Sequence, residues 1–171
     1  MRIGVISDTH IPANCSQMPG ELINVLKGCD LILHAGDLTK MEVVDCLKKI
    51  STVEAVYGNM DSAEVRSALP DKKILELAGK KICLMHGYGG PDNLVEILKK
   101  EFFSQKPDII VFGHSHMPFN KYIDGVLFFN PGSATDTIIV PYRSYGIIEI
   151  TNDKINSEIY RLKDEGENRE K

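Results

Sequence analysis

Three short apolar runs, residues 3–6, 31–33 and 53–57, alternate with segments whose apolar side chains recur at helical spacing. Residues 19–27 put Leu22, Ile23 and Leu26 on one face, between Pro19 and Gly28. Residues 40–50 do the same with Val43, Val44, Leu47 and Ile50, behind a capping box of Thr39 and Glu42. A strand–helix–strand–helix–strand order points to parallel pairing, because parallel neighbours need the helical crossover that antiparallel ones do not. Further strand-type runs follow at 74–77, 82–85, 109–112, 126–129 and 147–150. A hairpin is expected around Ala78-Gly79-Lys80, and a third helix over 92–103, with Leu94, Leu98 and Phe102 inward. The expectation is an α/β fold, layered as helices on a mixed sheet or on two packed sheets.

The chain of 171 residues suits one domain, placed at 1–162, with a charged tail at 163–171 that has no apolar side chain. No stretch approaches the ~20 apolar residues that cross a bilayer, so no membrane partner is expected. A net charge of −4 lacks the positive field that gathers long nucleic acid. Residues 1–10 enter a strand pattern rather than a secretory signal. The four cysteines, Cys15, Cys29, Cys46 and Cys83, form no Cys-x-x-Cys pair and read as reduced core residues. A cytoplasmic location is expected. Homo-oligomer formation is left open.

The chemistry-bearing residues follow the strand-type runs. Asp8 and His10 come after the first, Asp37 after the second, and Asn59 and Asp61 after the third. His86 follows 82–85, and His114 and His116 follow 109–112. In α/β sheets ligands bind beyond the carboxyl ends of strands, so strands ending at one edge would gather these groups. Asp8, His10, Asp37, Asn59, His86, His114 and His116 offer seven oxygen and nitrogen donors. That mixture suits Mn²⁺, Fe²⁺ or Zn²⁺ and disfavours Ca²⁺. Seven donors exceed one tetrahedral site and suit two cations sharing a bridging carboxylate. Two dications outweigh two carboxylates and a hydroxide, leaving positive charge for a phosphoester anion. In extended backbone the pairs Asp8/His10 and His114/His116 would each point one way. His34, inside an apolar strand, reads as a core histidine. Taken alone, Asp37 is equally consistent with a turn cap and residues 58–61 with a bare turn; only the conjunction is specific.

Taken in order, Asp8-x-His10, Gly36-Asp37, Gly58-Asn59-x-Asp61, His86-Gly87 and Gly113-His114-x-His116 resemble the motifs of calcineurin-like metallophosphoesterases. With Asn130-Pro131-Gly132-Ser133, the chain is similar to the small bacterial and archaeal phosphodiesterase branch, to which the retromer scaffold subunit is also related. The resemblance implies a four-layer α/β/β/α sandwich with two mixed sheets flanked by helices. It implies that Asp8, His10 and His116 hold one metal, that Asn59, His86 and His114 hold the other, and that Asp37 bridges. Asp37, Asn59 and His114 are the catalytic candidates. Two divalent ions are implied, Mn²⁺ first, with Fe²⁺, Zn²⁺ or Ni²⁺ as substitutes. The implied reaction is in-line attack of a metal-bridging hydroxide on a small phosphoester, most readily a diester. Many relatives carry His after the Asn of Gly-Asn, where this chain has Met60. Methionine has no proton to give a leaving group, which favours esters with good leaving groups. Residues 130–133 are candidates for a loop bordering the site, and Arg143 for a phosphate contact, although a solvated arginine is the plainer reading. The rival functions are a non-catalytic protein-docking module, a nuclease of short substrates, and a phosphomonoesterase.

Overall fold

The alternating first half folds as a parallel ladder. In the computed structural model, which describes residues 1–152 and 154–163, β1 (Arg2–Ile6), β2 (Leu31–His34) and β3 (Thr52–Ala55) pair in parallel. Helices α1 (Gly20–Leu26), α2 (Met41–Lys48) and α3 (Ala63–Ala68) lie between and after these strands. The chain then makes the expected hairpin, β4 (Lys72–Leu77) to β5 (Lys80–Met85). Its two-residue turn places Ala78 and Gly79 at φ 49° and 75°, the handedness that matches strand twist. Helix α4 (Leu94–Glu101), preceded by the 3₁₀ turn Pro91–Asn93, leads to β6 (Ile109–Val111). Four strands close the fold: β7 (Phe119–Ile123), β8 (Val126–Asn130), β9 (Ser144–Thr151) and β10 (Lys154–Arg161).

One sheet runs β10-β9-β1-β2-β3 and the other β4-β5-β6-β8-β7. Both are mixed: β9 joins β1 antiparallel, whereas β5, β6 and β8 are mutually parallel. Strand alternation sends Ile3, Val5, Leu31 and Leu33 inward, against Ile82, Leu84, Ile109, Val111, Leu127 and Phe129 of the second sheet. The opposite faces take the helices. Ile6 and Ile32 pack with Leu22, Leu26, Val43, Val44 and Leu47, while Cys83, Ile110 and Phe128 pack with Leu94, Leu98 and Phe102. The protein is therefore a four-layer α/β/β/α sandwich. No helix among the described residues is long and apolar enough to cross a membrane.

Several expectations need correction. The Thr39/Glu42 capping box does not form: Lys40 occupies the N-cap with no side-chain cap, and Thr39 is held at φ 79° with its N–H donating to Asp61. The demands of the loop before α2 outweigh the capping signal. Helix α3 is too short for a periodic pattern, with Val65 its buried apolar residue, although its N-cap Ser62 accepts from Val65 N–H at 3.3 Å. Strand β7 is half-exposed, with Asn120 and Lys121 interrupting its apolar residues, and β10 has the Ile155/Ile159 alternation of an edge strand. Of the cysteines, Cys29 and Cys83 are buried, but Cys15 is half-buried and Cys46 exposed. Lys163, placed in the charged tail, donates its N–H to Glu21; residues 164–171 lie outside the described residues.

Candidate metal centre

The C-terminal ends of β1, β2, β3, β5 and β6 meet at one edge of the sandwich, and the loops leaving them are tied together by backbone hydrogen bonds. Asp8 N–H donates to Gly36 O at 3.0 Å, His10 N–H to Asp37 O at 2.9 Å, and Gly113 N–H to His86 O at 3.1 Å. Asp8, His10, Asp37, His114 and His116 all sit at φ between 42° and 70°. Left-handed backbone is costly for residues with a Cβ and concentrates at functional sites. The two His-x/Asp-x pairs are thus not in extended backbone, which corrects the reason for expecting them to share a direction. His114 and His116 in fact diverge: the His116 ring lies 5.2 Å from that of His10, and the His114 ring 5.3 Å from that of His86.

Two close groups result. In the first, His116 Nε2 is 3.4 Å from Asp8 Oδ1 and 3.3 Å from His10 Nε2. In the second, His86 Nε2 is 3.3 Å from Asp37 Oδ2 and 3.1 Å from Asn59 Oδ1, which is 3.0 Å from His114 Nδ1. Asp8 and Asp37 lie between them, Asp8 Oδ1 at 4.0 Å from His86 Nε2 and Asp37 Oδ2 at 3.7 Å from His10 Nε2. Donor atoms of Asp8, His10 and His116 fall within 4.8 Å of one another, as do those of Asp8, Asp37 and His86. The fold therefore brings all seven residues singled out in the sequence into one neighbourhood.

Both carboxylate oxygens of Asp8 are buried and have no hydrogen-bond partner. A buried carboxylate left so is expensive unless a cation serves it. Burial pushes the Asp8 carboxyl up, only partly offset by His86 and His116. The facing Nε2 atoms of His10 and His116 likewise suit a shared electrophile. The donor set therefore fits divalent metal.

Neighbouring groups aim the imidazoles. His86 Nδ1 meets Ala35 O at 2.7 Å and His116 Nδ1 meets the Asp136 carboxylate, so each turns Nε2 to the cleft. His114 Nε2 meets Gly89 O at 2.8 Å, leaving Nδ1 as its donor to the site. Asp136 was not recognised in the sequence; it lies in an irregular loop without periodic signal. Asp61 is a loop organiser: its carboxylate accepts from Asp37 N–H at 3.0 Å, Gly58 N–H at 2.7 Å and Thr39 N–H. Arg66 braces the same loop through Asp61 O and Asn59 O. Two glycines are sterically required, since a Cβ on Gly58 would lie 2.3 Å from Asp37 Oδ1 and one on Gly113 would lie 1.9 Å from Ser7 Oγ.

Residues 130–133 do border the site. Asn130 donates to Gly113 O at 2.8 Å, and Ser133 Oγ to Asp8 O at 2.7 Å. Arg143 Nη2 donates to Lys163 O at 2.7 Å, and Arg143 is not among the residues lining the cleft. His34 is buried, accepts Gly36 N–H on Nδ1 and faces Thr9 Oγ1 through Nε2 at 3.0 Å. Burial, with the nearby His86, lowers its pKa to about 3, so it stays neutral.

Burial alone would lower the pKa of His86, but its hydrogen bond to Asp37 and the charges of Asp8 and Asp37 raise it to about 9. Burial works against ionised Asp37 too, yet His86 and the Met60 N–H hold its carboxyl low. Without metal, His86 therefore favours its protonated form at pH 7, and a cation that bound through its Nε2 would have to displace that proton. Calorimetric titration with Mn²⁺ in two buffers of different ionisation enthalpy should reveal net proton release at pH 7. Affinity should fall as pH drops below the His86 pKa. Heats independent of buffer would remove His86 from the ligands.

The "Calcineurin-like phosphoesterase superfamily domain" matches residues 1–153. A probable metallophosphoesterase of Methanothermobacter thermautotrophicus is 34% identical over 161 residues, covering 94% of this chain and 92% of its own length. A phosphodiesterase of Methanocaldococcus jannaschii is 24% identical over 144 residues, 77% of this chain and 83% of that protein. The crystal structure of Vps29 from Entamoeba histolytica complexed with zinc superposes with a TM-score of 0.73 at 26% identity, over 94% of this chain and 99% of that one. With its sandwich, its strand-end donors and a family match that spans nearly all of it, the chain belongs to the calcineurin-like phosphoesterase superfamily.

Proposed function

We propose that the protein is a dinuclear metal-dependent phosphodiesterase acting on a small phosphoester. Asp8, His10 and His116 would hold one divalent ion, Asn59, His86 and His114 the other, and Asp37 both. Mn²⁺ is the first choice, with Fe²⁺, Zn²⁺ or Ni²⁺ as substitutes. The observation that carries this reading is the unpartnered, buried Asp8 carboxylate ringed by imidazole nitrogens. Two bound ions would supply positive charge to the phosphoryl oxygens and ionise a water for in-line attack on phosphorus. Asp37 suits the shared position because Met60 N–H takes its Oδ1 at 2.7 Å while Oδ2 lies between His10 and His86. Asn59 offers its amide oxygen between His86 and His114. The likeness to a curated phosphodiesterase supports the diester preference. The test is metal content together with turnover of bis-p-nitrophenyl phosphate: two ions per chain and turnover are expected, and a loaded but inert protein would overturn the proposal.

Met60 lines the cleft and is 62% exposed. It offers no proton, and Asp61 is occupied by backbone donors. The leaving group therefore departs without strong acid assistance. Across phosphodiesters graded by leaving-group pKa, log kcat should fall steeply as that pKa rises. A flat line, with chemistry rate-limiting, would show that some group does protonate the leaving oxygen.

The second reading, a docking module of the same fold, is favoured by the likeness to Vps29. The complete donor set argues for catalysis, since docking alone requires no buried carboxylate that accepts no hydrogen bond and is faced by imidazole nitrogens. The same metal and turnover measurements separate the two.

A further inference from the structure

We infer that the cleft selects a singly anionic phosphodiester with an apolar ester substituent, and that Ile138 and Ile139 are the residues that select it. This rests on the phosphodiesterase reading above and names its substrate class. The cleft beside the metal donors has a volume of about 380 Å³ and is lined by His10, Asp37, Asn59, His114 and His116 on its floor. Its rim carries Met60, Ile138 and Ile139, with exposures of 62%, 92% and 68%. Single exposed apolar residues are ordinary. Three at the mouth of the cleft that holds the metal donors, two of them isoleucines in succession, form a surface that an apolar group would cover.

Charge supports the same conclusion. None of the described residues lining this cleft is Lys or Arg, and Asp37 and Asp136 are acidic. A polyphosphate or an oligonucleotide would bring phosphates for which the lining offers no guanidinium or ammonium partner. One phosphate on the donor cluster and a hydrocarbon or ring on the rim leave no charge unmatched.

The rim is held in register with the cluster. Asp136 Oδ1 accepts Ile138 N–H at 2.7 Å and Ile139 N–H at 3.2 Å, while Oδ2 bonds His116 Nδ1. One carboxylate thus sets both the ring at the floor and the two isoleucines above it.

The test compares p-nitrophenyl phenyl phosphate with p-nitrophenyl methyl phosphate on the Mn²⁺-loaded protein, because both release the same leaving group. The phenyl ester should be favoured about tenfold or more in kcat/KM, and the Ile138→Ser/Ile139→Ser variant should compress that ratio to within about twofold. A ratio near one in the unaltered protein, or one unmoved by the double substitution, overturns the inference. A second readout needs no turnover: diphenyl phosphate should bind the loaded protein about tenfold tighter than dimethyl phosphate by calorimetry, and lose that advantage in the variant. Selective binding without hydrolysis would sink the phosphodiesterase reading and leave the rim standing. Hydrolysis without discrimination would do the reverse.

Discussion

Replacing Asp37 with alanine should reduce hydrolysis of bis-p-nitrophenyl phosphate by more than about 10²-fold, since losing even a supporting group of a metal site costs 10–100-fold. Bound metal should fall from two ions to one or none, measured by elemental analysis after gel filtration. The carboxylate lies between the two groups of donors, 3.7 Å from His10 and 3.3 Å from His86, so on the proposed assignment its loss removes a donor common to both. The fold should survive. Asp37 stands in the loop after β2, outside the three apolar cores, and its side chain makes one backbone hydrogen bond, from Met60. Losing such a bond costs about 1 kcal/mol, and His86, deprived of its ion-pair partner, sheds its proton rather than stay buried and charged, so the urea transition should move down while remaining cooperative. A variant with full turnover and both ions would remove Asp37 from the bridging role and with it the division of donors into two sites.

The strand-end donors were legible because each follows a short, near-continuous apolar run of the kind that a strand buried on both faces requires, and parallel strands must release their chains at a common edge. That logic located Asp8, Asp37, Asn59 and His86 with no knowledge of the loops between them. It did not describe the loops. Extended backbone was the wrong reason for pairing His114 with His116: the αL conformations at these residues turn the two rings toward different neighbours. The division between metals came from family resemblance for the same reason. Thr39 was misread because Asp61, 22 residues later, takes its N–H. Strand β10 shows the alternation of an edge strand, with Ile155 and Ile159 on its inner face, but polar residues between them dilute the apolar run by which the other strands stand out. Asp136 had no such signal, since its partner His116 is 20 residues away across β7 and β8.

Substituting Asp136 with asparagine should weaken metal binding about 10–100-fold, chiefly for the ion on the Asp8, His10 and His116 side. The carboxylate has two oxygens and three donors to satisfy: Ile138 N–H and Ile139 N–H on Oδ1, and His116 Nδ1 on Oδ2. Asparagine has a single oxygen. If it stays with the two backbone donors, the amide N–H₂ faces His116 Nδ1, which must then accept. The proton moves to Nε2, the atom 3.4 Å from Asp8 Oδ1, and the lone pair a cation needs is withdrawn from the cluster. The effect is a change of tautomer, which mere loosening of the loop would not produce. Nitrogen-15 shifts of the metal-free protein should report Nδ1 protonated on His116 in the parent and Nε2 protonated in the variant, alongside the weaker Mn²⁺ isotherm. Asp136→Ala would release the isoleucine rim as well as the ring, so its loss of phenyl over methyl discrimination should exceed that of the asparagine variant. An asparagine variant with unchanged affinity and tautomer would mean that His116 is oriented by other contacts, and Asp136 would be left as a loop brace.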